Sequence, residues 1–210
     1  MIWDLLEVEV PIESMLDWGM LGYFTGYAVE ENIPVISGVS YQPNLIRHKH
    51  FGAAAASSGG VELYHMAGIT PEAPSREVAF GGNKPVQTIK YGPAERRKTY
   101  EMLNSVGTNE NVDFVMLGCP HASIEQIWEV ANLLDGKKLS PNTNLWIFTS
   151  RSVKSMADTN GYTKAIRAAG GTVLTDTCSA VAFASAHDVA DHGQRDEAEA
   201  SVRAGALDRR

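Results

Sequence analysis

The chain is predicted to be an α/β protein with a parallel sheet and flanking helices in its carboxyl-terminal half. Three observations predict this. Short apolar runs alternate with stretches of helical periodicity from residue 92 onward, the helical stretches close at glycines, and an apolar content of 44% over 210 residues suffices to bury a substantial core. The amino-terminal part is less regular and reads as mixed α and β. The expected organisation is residues 1–91 as an incomplete amino-terminal part of a catalytic domain, 92–183 as an α/β unit, and 184–210 as a disordered or aberrant tail.

Residues 1–40 alternate apolar segments with glycine and proline. Ser14 to Val29 reads as a helix broken by Gly19, Gly22 and Gly26, and Ile33 to Ser37 as a short buried strand. After Gly52 come four alanines, then Ser57, Ser58, Gly59 and Gly60. Small side chains in that number suit a tightly packed helix ended by a glycine cap, with a direct role in binding as the alternative. Val61 to His65 resumes a strand-like pattern, and Gly81-Gly82 between two β-like runs in Val78 to Lys90 predicts a hairpin.

From Gly92 the signals sharpen. Pro93 to Ser105 is a helix with proline in its first turn, and the apolar run Val112 to Leu117 stops at Gly118. Ser123, with Gln126 three residues on, is a capping-box start for a helix over Ile124 to Leu134, closed by Gly136. Leu145 to Phe148 is a second strand, Ser152 to Ala169 a helix ended by Gly170-Gly171, and Thr172 to Thr175 a third strand.

Open parallel sheets bind ligands beyond the carboxyl ends of their strands. Three successive strand ends deliver Cys119, His121 and Ser123, then Thr149, Ser150 and Arg151, then Asp176 and Cys178. A helix amino terminus stabilises the thiolate that a metal needs, and Cys119 lies just ahead of one. A single loop cysteine is more often a small buried hydrophobe, whereas two at equivalent strand ends make a metal site an equal alternative. A cluster or closed zinc site usually takes three or four protein donors, so residues missing here or a non-cysteine donor must complete the pair. His121 can orient substrate, act as acid or base, or bond a loop carbonyl. The planar fork of Arg151 suits a carboxylate or phosphate, or else it is a solvated residue starting a helix. Asp176 is a general base or a loop hydrogen-bonding group. His48 and His50, one residue apart, point to different faces and are weak metal candidates.

Several classes are excluded or disfavoured. A net charge of −7, with basic groups only at Arg47 to Lys49 and Arg96 to Lys98, gives no footprint for nucleic acid. No run approaches the roughly twenty apolar residues of a membrane span, and no leader pattern is present, so no membrane and a cytoplasmic location are expected. No G-x-G-x-x-G or Walker-type loop follows a strand, which disfavours a nucleotide-binding module.

The run Gly118-Cys119-Pro120-His121-Ala122-Ser123-Ile124-Glu125-Gln126 resembles the large catalytic subunit of the aconitase X family. His50-Phe51-Gly52 with the alanine-rich segment, Gly68 to Ala73, and Thr175 to Cys178 are similar too, so the resemblance covers residues 1 to about 183. It implies a hydro-lyase that dehydrates a hydroxylated carboxylic acid such as cis-3-hydroxy-L-proline or phosphomevalonate, with an iron-sulfur cluster as Lewis acid. Cys119 and Cys178 map onto the family's cluster ligands, and His121, Ser123, Arg151 and Asp176 onto the same catalytic loops. It also implies a small swivelling subunit or domain as partner. The family's pattern starts upstream of Met1 and continues past the second cysteine, so a third ligand is expected to be missing and a catalytically inactive fragment is the alternative. Residues 184–210, poor in large apolar side chains, are expected to stay outside the folded core, with transient helix over Asp196 to Ala206.

Overall fold

A computed structural model of the chain describes residues 3–104, 112–178 and 181. The chain forms two compact units, Met1–Thr108 and Asn109–Arg210. The expected tail at 184–210 lies outside the described residues.

In the first unit, strands β1 (Trp3–Val8), β2 (Ile33–Ser37), β3 (His65–Met66) and β4 (Thr88–Tyr91) form one parallel sheet in the order β3-β2-β1-β4. Leu6 and Val8 of β1 pack with Trp18 and Leu21 of α1 (Met15–Val29) and with Phe51 and Ala55 of α2 (Leu45–Gly59). Leu5 and Val35 face the other way, onto Ala79 and Phe80 of α3 (Arg76–Phe80). The sheet is therefore covered on both faces, as successive βαβ crossovers of one hand require when the chain reverses direction across a sheet.

The expected break in α1 does not occur. Gly22 and Gly26 sit inside one continuous helix because α2 passes against them. A β-carbon on Gly26 would collide with the Ala55 carbonyl, and one on Gly59 with the backbone of Gly26. Glycine here answers to tertiary contact, and the packed alanine-rich helix and its left-handed cap at Gly60 match expectation. The expected hairpin is replaced by α3, with Gly81 as its left-handed cap, followed by β4 pairing in parallel with β1. Of Val61 to His65 only the last residue enters a strand. The helix α4 (Pro93–Leu103) packs on α1 and β4, so the division between the units falls one helix later than the sequence pattern placed it.

In the second unit, β5 (Phe114–Leu117), β6 (Asn144–Thr149) and β7 (Thr172–Thr175) are parallel and in sequential order. Helices α5 (Ile124–Leu134), α6 (Arg151–Thr159) and α7 (Tyr162–Ala169) lie together, burying Ile127, Ala131, Ala157 and Ile166 against Leu145, Ile147 and Val173. The single helix expected over 152–169 is split at Asn160-Gly161, where Gly161 takes φ +79°. No helix among the described residues is long and apolar enough to cross a membrane.

Candidate functional site

Because β5, β6 and β7 are parallel and adjacent, the loops that follow them share one edge of the sheet. Gly118 leaves β5 with φ +108°, and a β-carbon there would come within 2.9 Å of the Phe148 nitrogen, 3.0 Å of its carbonyl carbon, and closer still to its oxygen. Only glycine permits the loop to turn this tightly over β6. The next peptide bond, Cys119-Pro120, is cis. The loop is then fastened to the end of β6 at two points. The Ala122 N–H donates to the Phe148 carbonyl at 2.8 Å, and the buried Thr149 hydroxyl donates to the Ala122 carbonyl at 2.6 Å. Cys119 is thereby held at the surface of this edge, exposed and outside any disulfide.

Ser123 caps α5. Its hydroxyl accepts the Gln126 N–H at 3.3 Å, and Gln126 Oε1 accepts the Ser123 N–H at 3.0 Å, completing the capping box read in the sequence. The same hydroxyl and the helix-start backbone hold the Glu125 carboxyl below the usual carboxylate range.

Beyond β7, Asp176 adopts a left-handed conformation with φ +64°, and the chain reaches Thr177 and the half-buried Cys178. His121 spans to this loop. Its Nε2 lies 2.8 Å from the Thr177 carbonyl oxygen, a partner that can only accept, so Nε2 carries the proton. His121 is two residues from Cys119 and Thr177 is adjacent to Cys178, so this bond ties together the two loops that bear the thiols. Arg151, the first residue of α6, donates from Nε to Asp176 Oδ2 at 2.6 Å, and the Thr175 hydroxyl donates to the same oxygen at 3.3 Å. The Arg151 side chain is 79% exposed, and its two Nη groups make no hydrogen bond among the described residues. One side of the guanidinium fork is thus anchored while the other faces solvent.

The six residues singled out in the sequence therefore fall on the three loops of one sheet edge. Sequence reasoning did not foresee the parts that hold these loops, namely the Phe148 backbone and the Thr149 hydroxyl. A glycine at one strand end and a threonine at the next were the available signals. His48 and His50 belong to the first unit, on α2. Burial lowers the pKa of both, with Lys49 adding to the effect at His50, and the His48 ring packs on Trp18 and stacks near Tyr64, 3.4 Å from its hydroxyl. Among the described residues, no three His, Cys, Asp or Glu side chains gather where they could hold a metal ion.

Residues 5–101 match the aconitase X second domain, and residues 112–192 match the aconitase X third domain. The chain belongs to the aconitase X family. The interval between the two aconitase X matches contains the structural division between units. Over 165 residues the chain is 42% identical to the phosphomevalonate dehydratase large subunit of Methanocaldococcus jannaschii, covering 78% of this chain and 39% of that protein. It is 37% identical over 177 residues to the cis-3-hydroxy-L-proline dehydratase of Pseudomonas aeruginosa, covering 83% and 30%. The crystal structure of Thermococcus kodakaraensis aconitase X in its holo-form superposes with a TM-score of 0.68 at 30% identity, covering 84% of this chain and 44% of that one. The aconitase X chain thus spans less than half of the length of these relatives.

Proposed function

We propose that this aconitase X chain contributes to a hydro-lyase that removes water from a hydroxylated carboxylic acid, with Cys119 and Cys178 as two of the protein ligands of an iron-sulfur cluster. The observation that carries the reading is the His121-to-Thr177 hydrogen bond, which joins the loops bearing the two thiols at one sheet edge. Two unpaired, accessible thiols fit a cluster as a partial donor set, and the remaining donors come from outside the described residues. When bound, the cluster supplies a Lewis acid for the departing hydroxyl. The chain's own residues do the rest. Arg151 presents the open side of its fork to a substrate carboxylate while Asp176 holds the other side. His121 and Asp176 are the proton-accepting side chains of this edge, and with Nε2 protonated any transfer through the neutral His121 ring runs through Nδ1. Ser123 keeps the α5 start in place beside them.

Relatives named for phosphomevalonate and for cis-3-hydroxy-L-proline support a substrate with a carboxylate and a hydroxyl, the features the two compounds share. Relatives named as large subunits support a smaller subunit as partner. Unpaired thiols suit a reducing cytoplasm. One observation favours a second reading, a fold that binds no complete cluster: no third donor groups with the two cysteines among the described residues. Anaerobic reconstitution with ferrous iron and sulfide, followed by visible absorbance and iron analysis, separates the two. The proposal expects a coloured protein whose iron content falls at least several-fold in both Cys119→Ser and Cys178→Ser. A colourless wild-type chain supports the second reading. Assays of reconstituted chain plus small subunit with both compounds then assign the substrate.

A further inference from the structure

The first unit has its own strand-order reversal. The chain leaves β1 through α1 to β2 on one side, whereas β4 pairs with β1 on the other. In open α/β sheets ligands bind near such a reversal, beyond the carboxyl ends of the strands. A cleft of about 480 Å³ opens beside it, between α1 and α4, which pack on one another. Val10 lies two residues past the end of β1 and Pro93 two past the end of β4, and both line it, with Leu16 and Met20 of α1 and Tyr100 of α4 as its apolar walls. The volume falls within the range of small-molecule sites, which are apolar with a few placed polar groups.

The two polar groups here are Arg96 and Arg97. Arg96 is committed, pairing with the nearly buried Asp17. Arg97 makes no hydrogen bond or ion pair among the described residues, so the cleft carries one uncompensated positive charge. The start of α4 adds no further pull on an anion, since Pro93 lacks an N–H and the Glu95 carboxylate already accepts the Gly92 N–H at 2.9 Å. Recognition of a head group therefore falls to Arg97. Leu16 is 55% and Tyr100 48% exposed, so the apolar walls are open to a ligand from solvent.

We infer that the first unit binds a small organic anion in this cleft, its apolar body against Leu16, Met20 and Tyr100 and its carboxylate or phosphate monoester head on Arg97. The inference is independent of the iron-sulfur reading, because every residue it uses lies in the first unit.

The test is amide chemical-shift perturbation on the isotope-labelled full chain, titrated with four probes that share one apolar body: hexanoate, hexyl phosphate, hexanol and hexylamine. Both anions are expected to shift Val10, Leu16, Met20 and Tyr100, and to bind about five-fold more tightly than hexanol, the scale of one solvent-exposed charge contact. Whichever anion binds more tightly assigns the head group. Arg97→Gln, a surface change, should reduce the anions to the affinity of hexanol and leave hexanol unchanged. Leu16→Ser should weaken anions and alcohol alike. Hexylamine binding as tightly as hexanoate, shifts mapping elsewhere, or an anion preference that survives Arg97→Gln would overturn the proposal.

Discussion

Replacing Gly118 with alanine places a methyl group against the backbone of β6. The new carbon would lie 2.9 Å from the Phe148 nitrogen and 3.0 Å from its carbonyl carbon, at a residue with φ +108°. A side chain in such sparsely populated backbone space costs about 1–3 kcal/mol. Backbone cannot yield as a flexible side chain can, so the loop must lift. Lifting it loosens the Ala122-to-Phe148 and Thr149-to-Ala122 hydrogen bonds, each worth about 1 kcal/mol, and leaves a buried hydroxyl and carbonyl without partners. The expected loss is about 3–5 kcal/mol, a large share of the roughly 5–15 kcal/mol typical of a domain. It should be accompanied by loss of iron uptake, because Cys119 is displaced relative to Cys178. Gly136→Ala is the control: φ is +66° there but nothing lies within 4 Å, so only about 1–2 kcal/mol of backbone strain is expected and iron uptake should persist. Urea denaturation of both variants, with iron stoichiometry after reconstitution, makes the comparison. A Gly118→Ala protein as stable as Gly136→Ala, with wild-type iron content, would refute the reasoning.

Gly59→Ala should destabilise the first unit by more than about 3 kcal/mol, since its methyl group would enter the backbone of Gly26 where α1 and α2 meet; thermal denaturation by circular dichroism reads it directly. Asp17 is a pH-dependent element. Burial would raise its pKa, but this is outweighed by hydrogen bonds from the Ser14 N–H, the Ser14 hydroxyl and the Glu13 N–H and by the charge of Arg96, leaving it depressed. A depressed carboxylate stabilises the fold above its unfolded pKa of about 3.9 and loses that contribution as pH falls through the lower folded value. Asp17→Asn should therefore be less stable than wild type at pH 7 by about 1–2 kcal/mol, with the gap narrowing below about pH 4; a gap that is constant in urea titrations across pH would count against this account. Arg151→Lys should change stability by less than about 0.5 kcal/mol, given its exposure, while raising the substrate KM about ten-fold through loss of the fork; an unchanged KM would remove Arg151 from the substrate site.

Some elements were legible in the sequence to the residue. Ile33–Ser37, Ile124–Leu134 and Thr172–Thr175 form as read, because each is bounded by signals within its own few residues: a capping box, a glycine stop, a β-branched run. Other elements were not. The strand Trp3–Val8 carries Asp4 and Glu7 within its apolar pattern, and the fully buried Asp4 accepts hydrogen bonds from Asn32 and Gln87 at Oδ2, at 3.0 and 3.1 Å, partners that lie far from it in sequence. Gly81-Gly82 has the local composition of a hairpin turn. The strand that follows nevertheless finds its partner in β1, more than eighty residues earlier, a pairing no window of local sequence contains.

The candidate site divides along the same line. Two cysteines after two strands of a helix-alternating pattern already imply one shared sheet edge, because parallel strands in adjacent positions end on the same side. That much the amino-acid order determined, together with the capping of α5 and the end of β5 at Gly118. Only the tertiary structure decided that His121 reaches the carbonyl of Thr177, fifty-six residues away, that Arg151 leans on Asp176, and that Gly22 and Gly26 serve a helix contact where they had read as breaks. Periodicity and caps are short-range properties of the chain, carried by neighbours within a turn or two. Hydrogen bonds between loops and the closeness of two backbones depend on how the crossovers stack, which is settled only when the sheet is assembled.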